Sequence, residues 1–345
     1  MGYRVCFVTS EYTPLAKTGG LADVSTALTR YLHRTGHDVR VFVPLYRRIA
    51  EQQLQLWPVE FLQDLRLSIG GTEYRYSIRT GAVPGSDLML YFVDCPALYD
   101  RAGIYSELPD EHVRFLLLTR AALEACQRMA FSPDVLHCND WHTAFGPLYL
   151  RTLYSWDRLF ARTKSVLTIH NLAYQGIFPA ARADDVGLGD AAWLLHQDDL
   201  AAGFVNSMKH GVMYADLVTT VSPTYAREIC TPAYGAGLED YLRRRGDRLV
   251  GILNGVDYED WDPANDRYLP LRFDPSNLDN KGVLKRQLLT RLRLNHERGT
   301  LLLGLVSRLV GQKGIDLLPE VLPEMLRSHD LCFVALGSGE RRHEE

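Results

Sequence analysis

Chemistry in this chain would start at KTGGLAD, residues 17–23, just after a strand-like run. Gly19 and Gly20 let a ligand approach the backbone closely, the helix that follows points its first N–H groups at the same place, and Lys17 adds a movable positive charge. That is the make-up of a phosphate site. The segment is neither GxGxxG nor GxxxxGKS, so hydride transfer and P-loop chemistry have little support. An ordinary glycine turn before a helix, with a solvated Lys17, is the plain alternative.

Three further segments end strands. HCNDWH gathers His137, Asp140, Trp141 and His142. A metal would use such residues, but on a strand-to-helix turn they diverge and no matching ligand pair stands elsewhere, so no metal is expected. Asp140 reads either as a helix N-cap or, with its neighbours, as a polar wall for sugar hydroxyls. TIHNLAYQG leaves His170 and Asn171 at the next strand end, where His170 alone reads as readily as a hydrogen-bonded structural histidine. SRLVGQKG sets Arg308 and Lys313 past a strand and before a helix starting near Gly314, an arrangement suited to a diphosphate or else a pair of solvated charges. LNGVD, with Asn254, is compatible with a tight turn. Asp260-Trp261-Asp262 matches the DxD of metal-dependent glycosyltransferases, a three-residue match that carries little weight.

Such residues become a site only where strands deliver them, and in an open α/β sheet that place lies beyond the carboxyl ends of the strands. The chain reads as α/β, with short apolar runs alternating with helical patterns. Residues 3–9 form a first strand, a helix follows up to Gly36, and DVRVFVPL is a second strand. Residues 61–94 alternate around Gly70-Gly71 and read as an antiparallel hairpin at a sheet edge. A helix over 111–129 leads to DVLHC, then KSVLTI, DLVTTVS and RLVGILN follow. The expected organisation is a first domain over 1–262, a connection over 263–299 and, from 300 to 345, the start of a second α/β domain with a helix over 314–326. Two strands this apolar belong in a sheet covered on both faces, and 46 residues cannot close such a core.

Composition narrows the classes. The 345 residues are 46% hydrophobic and 23% charged, as in an ordinary globular protein. Lys and Arg number 38 against 42 Asp and Glu, for a net charge of -4, so no broad basic field is available for nucleic acid or an anionic membrane. The six cysteines include no CxxC pair, and neither a zinc knuckle nor a disulfide framework is indicated. No apolar run approaches the ~20 residues of a membrane span. No signal or transit peptide is read at the N-terminus, and a cytoplasmic protein is expected.

Taken together, KTGGLADV, HCNDWHTAFGPLYL, TIHNLAYQGIF, TVSPTYAREI, GILNGVDYEDWDP and VSRLVGQKGIDLL resemble the bacterial glycogen synthase and plant starch synthase family, in order and spacing over essentially the whole chain. The resemblance implies a GT-B fold of two Rossmann-like domains facing a cleft. It also implies a metal-independent, retaining transfer of glucose from ADP-glucose to the non-reducing end of an α-1,4-glucan, with no cofactor. By the same resemblance Lys17, with Gly19 and Gly20, meets the donor's phosphates and Asp23 faces the cleft. Asp140 and His142 line the sugar and acceptor side, and His170, beside Asn171, sits at the transferred glucose. Asn254 faces the donor, Tyr99 lies near the nucleotide, and Arg308, Gln312 and Lys313 hold the departing diphosphate. His170, Asp140, Arg308 and Lys313 are the catalytic candidates.

The physics of the implied reaction suits those cations. Glycosyl transfer builds positive charge on the sugar and negative charge on the departing diphosphate, so preorganised cations at the diphosphate lower the barrier directly. Relatives of the family continue further with a glutamate-bearing signature, whereas here GSG passes into the charged ERRHEE. A truncated second domain is the expectation, with a complementing C-terminal fragment as the other possibility. The competing class is a glucan-binding protein of the same ancestry without transfer activity.

Overall fold

The computed structural model describes the chain apart from residues 1, 53, 84, 259, 260, 296, 298 and 345. Asp260, the first acid of the DxD triplet, lies outside the described residues. The chain divides into two compact units, Met1–Gly255 and Val256–Glu345.

In the first unit, parallel strands stand in the order Leu249–Gly251, Leu217–Thr220, Lys164–Ile169, Val135–Asn139, Arg4–Val8, Asp38–Pro44 and Met89–Asp94. Val5, Cys6, Phe7 and Val8 are all buried, the continuous apolar run that a strand covered on both faces requires. From Arg4–Val8 the chain first adds Asp38–Pro44 and Met89–Asp94 on one side, then returns to lay Val135–Asn139 on the other. This reversal of direction opens a crevice between the carboxyl ends of Arg4–Val8 and Val135–Asn139, where ligands of open α/β sheets bind.

The expected hairpin is present. Leu65–Ile69 pairs antiparallel with Thr72–Ala82, which in turn pairs antiparallel with Met89–Asp94. Gly70 and Gly71 join the first pair with φ of 54° and 78°, as a tight hairpin turn with two left-handed residues demands. The helix Glu111–Arg128 is buried along most of its length, including all of Arg114. An unanticipated addition is the two-stranded antiparallel pair of Ile177–Pro179 with Phe204–Asn206, with short 3-10 turns between them. Its strands have three residues each, too few for a legible period-two pattern.

The second unit holds the helix Asp279–Arg291 and parallel strands Leu301–Val306 and Leu331–Leu336 joined through the helix Leu318–Ser328. That helix starts later than the expected 314. Gly314 has φ +70°, in the left-handed region, and separates two 3-10 turns, Gly311–Lys313 and Ile315–Leu317. Leu289, Leu309, Ile315, Leu331 and Cys332 are buried, while Leu301, Val306 and Leu336 are 54%, 81% and 68% exposed. No helix among the described residues is long and apolar enough to cross a membrane. The six cysteines are free thiols.

Candidate active site at the sheet crossover

The loop after Arg4–Val8 brings KTGG to the crevice. Gly20 opens the helix Gly20–Arg34, and a Cβ built on Gly19 or Gly20 would meet nothing within 4 Å, so the space in front of both is open. Lys17 Nζ donates to Asp23 Oδ1 at 2.7 Å, and Asp23 Oδ1 also accepts from Thr13 Oγ1. Both partners of the ion pair are over 40% exposed, at 43% and 44%, so the pair is screened and contributes about 0–1 kcal/mol. An incoming phosphate can take Lys17 from it at small cost.

The loop's own amides are already engaged. Glu11, 3% exposed, accepts from the backbone N–H of Thr18 at 2.7 Å and of Gly19 at 3.1 Å through Oε2. Its Oε1 accepts from Thr18 Oγ1 at 2.6 Å and Tyr105 Oη at 2.7 Å. Open N–H groups ahead of the helix, expected from the sequence, are therefore not what Thr18 and Gly19 present. The Tyr105 ring lies parallel to the imidazole of His142, centroids 4.8 Å apart, which links KTGG to NDWH.

Across the crevice, the NDWH side chains diverge as the turn geometry requires. His137 turns back to Thr168 Oγ1 at 2.7 Å, and its burial pushes the imidazole down to about 3. Asp140 is not a helix N-cap; Asn139 holds that position. Instead Asp140, with φ +52°, turns its Oδ1 to the N–H of His170 at 2.7 Å and of Asn171 at 3.3 Å. A non-glycine residue in that conformation is strained, and strain of this kind gathers at functional sites. Burial lifts the Asp140 carboxyl to about 7, against the opposing pull of the two amides, with a smaller push from the Glu11 charge. His170 Nε2 lies 3.0 Å from Asn139 Oδ1, and burial brings it down to about 4, while Glu11 pulls the other way. His142 is packed against Trp141, Phe115 and Tyr105, and burial and then the Arg114 charge hold it well below its usual value. At neutral pH the crevice thus holds neutral imidazoles beside a carboxyl poised to carry or release a proton.

The structure brings Lys17, Gly19, Gly20, Asp23, Asp140, His142, His170 and Asn171 to neighbouring strand ends of the first unit. Tyr99 departs from expectation. It is wholly buried, donates its hydroxyl to the carbonyl of Arg114 at 2.7 Å and packs on Tyr46, so it supports the core and presents no exposed surface. Asn254 is exposed beyond Leu249–Gly251, at the end of the first unit. In the second unit Arg308 is half-buried in the loop after Leu301–Val306, and Gln312 and Lys313 are exposed on the 3-10 turn. Sequence reasoning missed Glu11, Tyr105 and Arg114. Only Glu11 carried a usable signal, a carboxylate inside a loop otherwise read as anion-binding. Among the described residues no group of three or more His, Cys, Asp or Glu is arranged to hold a metal ion.

Comparison with known proteins fits this geometry. Residues 4–244 match the starch synthase catalytic domain family. The chain is 42% identical to glycogen synthase 2 of Geobacter sulfurreducens, covering 97% of this chain and 69% of that protein. It is 39% identical to the glycogen synthase of Thermotoga maritima, over 99% and 70% respectively. Among solved structures, the catalytic domain of starch synthase IV from Arabidopsis thaliana, bound to ADP and acarbose, superposes with a TM-score of 0.90 at 33% identity, covering 99% of this chain and 70% of that one. The fold is of the GT-B type and the protein is a glycosyltransferase. It belongs to the glycogen synthase and starch synthase family.

Proposed function

We propose that the chain binds ADP-glucose and an α-1,4-glucan and serves transfer of glucose to the glucan's non-reducing end with retention of configuration, without a metal. The observation that carries this reading is the crossover crevice. An unobstructed Gly19–Gly20 helix start and an easily released Lys17 stand beside a wall in which Asp140 fixes the backbone of His170 and Asn171. The first half suits a diphosphate, the second a sugar. The plant starch synthase with this fold is bound to ADP and acarbose, a nucleotide and a glucan-like ligand, which supports both halves.

In this reading Lys17 meets the donor phosphates and Asp23 returns to solvent as Lys17 leaves it. Neutral His170 and the Asp140 carboxyl contact the transferred glucose, with His142 behind them. Asn254 faces the donor. Arg308 and Lys313, with Gln312 beside them, neutralise the departing diphosphate, where developing negative charge is stabilised most effectively.

The test is calorimetric titration with ADP-glucose and UDP-glucose, paired with transfer of labelled glucose to glycogen. ADP-glucose binding that exceeds UDP-glucose binding, and that Lys17→Ala abolishes, supports the reading. Unchanged binding in Lys17→Ala removes Lys17 from the site. Transfer by this chain is expected to be weak, because its second unit buries few apolar side chains. Glycogen binding with no nucleotide-sugar binding would instead favour a glucan-binding role.

A further inference from the structure

Glu11 stands where a ligand anion would be expected. Its carboxylate fills the Thr18 and Gly19 amides, satisfies the Thr18 hydroxyl, and reaches Tyr105 on a different segment. Tyr105 is also within 2.9 Å of Ser10 Oγ and lies on the His142 ring. One buried carboxylate therefore joins the KTGG loop to the wall that carries Asp140 and His170. An ordinary loop carboxylate would face water, and burying one is costly unless four such donors repay it.

We propose that Glu11 is a positioning residue of this site. It is an internal anion that sets the shape of the KTGG loop, and it leaves Lys17 and the Gly20 end of the helix as the surface a diphosphate meets. A phosphate placed on the Thr18 and Gly19 amides would have to expel Glu11 and would meet its charge. The donor is therefore directed to Lys17 and the open space before Gly20, and the fixed loop carries Lys17 at a set distance from the Tyr105–His142 stack. The part concerning the donor rests on the ADP-glucose reading above; the part concerning loop order does not.

Three variants separate these parts. Glu11→Gln keeps a carbonyl oxygen that accepts both amides, and the two hydroxyls can turn to suit the new NH2 group. Glu11→Asp is one methylene short of spanning the loop and Tyr105, and Glu11→Ala removes every contact. Timed trypsin digestion, with cleavage after Lys17 followed by mass spectrometry, reads loop order without any ligand. Cleavage about tenfold faster in Glu11→Ala and Glu11→Asp, with Glu11→Gln near wild type, is expected. Wild-type rates in the Asp variant, or equal acceleration in Asp and Gln, overturn the proposal, and the Asp–Gln pair decides even where Glu11→Ala fails to fold. In parallel, ADP titration should show binding weakened about tenfold in Glu11→Asp and retained in Glu11→Gln. ADP bound equally by wild type and Glu11→Asp overturns the link to the donor. A wild-type chain that binds no ADP sinks the donor reading, while the digestion still judges Glu11.

Discussion

Asp140 shows how a single side chain serves both the fold and the chemistry. Its carboxyl titrates near 7 in the folded chain against about 4 when unfolded, so the native state holds a proton that the unfolded state gives up between those values. Its contribution to stability therefore falls as pH rises from about 4 to about 7. Asp140→Asn keeps an acceptor for both amides in a backbone region that asparagine tolerates. Urea unfolding at pH 8 should find the variant more stable than wild type by at least about 1 kcal/mol, with no advantage at pH 4. Gly20→Ala separates stability from binding differently. Its Cβ meets no atom, so thermal unfolding should be unchanged or raised by up to about 1 kcal/mol, while ADP titration weakens as the methyl fills the open space. KTGG, NDWH and His170 were legible because residue type and strand-end position suffice to nominate them. Tyr105 was not, since its role rests on a contact across 94 positions that no local pattern encodes, and Glu11 carried only the signal of a carboxylate inside that loop.

At the scale of elements, the parallel strands and the helix Glu111–Arg128 were legible because burial on both faces writes itself as continuous apolar runs. The Gly70-Gly71 turn was legible because only a few dipeptides accept two positive φ angles. What escaped was set by contacts made elsewhere, such as the clamp on the segment after His170. Gln175 Nε2 donates to the carbonyl of Ala236, Asn206 Nδ2 donates to Gln175 Oε1, and Ser207 Oγ donates to the carbonyl of Gly176. Gly176 itself has φ +61°, and a Cβ there would lie 2.1 Å from Trp141 Cε3. Gly176→Ala should cost about 2 kcal/mol or more in urea unfolding and disturb the Trp141–His142 contact, visible as a shift in tryptophan emission. Recovery of the wild-type midpoint in that variant would show that the segment moves aside freely.

For the whole molecule, the pH response is dominated by imidazoles held neutral. His137, His170 and His210 are lowered to about 3, 4 and 4 by burial, and His142 lies well below its usual value for the same reason. In the unfolded chain each gains a proton near 6.5, so the stability they protect is whole above that value and is lost as pH falls toward 4. Chemical unfolding at pH 7.5, 6 and 5 should show a steep decline, opposite in sign to the Asp140 contribution and larger. Hydrogen exchange should report Leu301–Val306 opening before Arg4–Val8, because the first strand has exposed apolar side chains and the second has a buried core on both sides. The sheets also differ at their borders. The main run of the large one ends in Leu249–Gly251 on one side and Trp57–Pro58 on the other, strands of three and two residues, the latter with a proline that offers no donor, and Leu65–Ile69 pairs off that run with Thr72–Ala82. Among the described residues, the two six-residue strands of Val256–Glu345 pair with each other alone, so each keeps one edge without a strand partner, where another chain can pair. Shelf life in concentrated solution will thus be governed by the smaller unit, and a lysine set into Leu301–Val306 should slow turbidity.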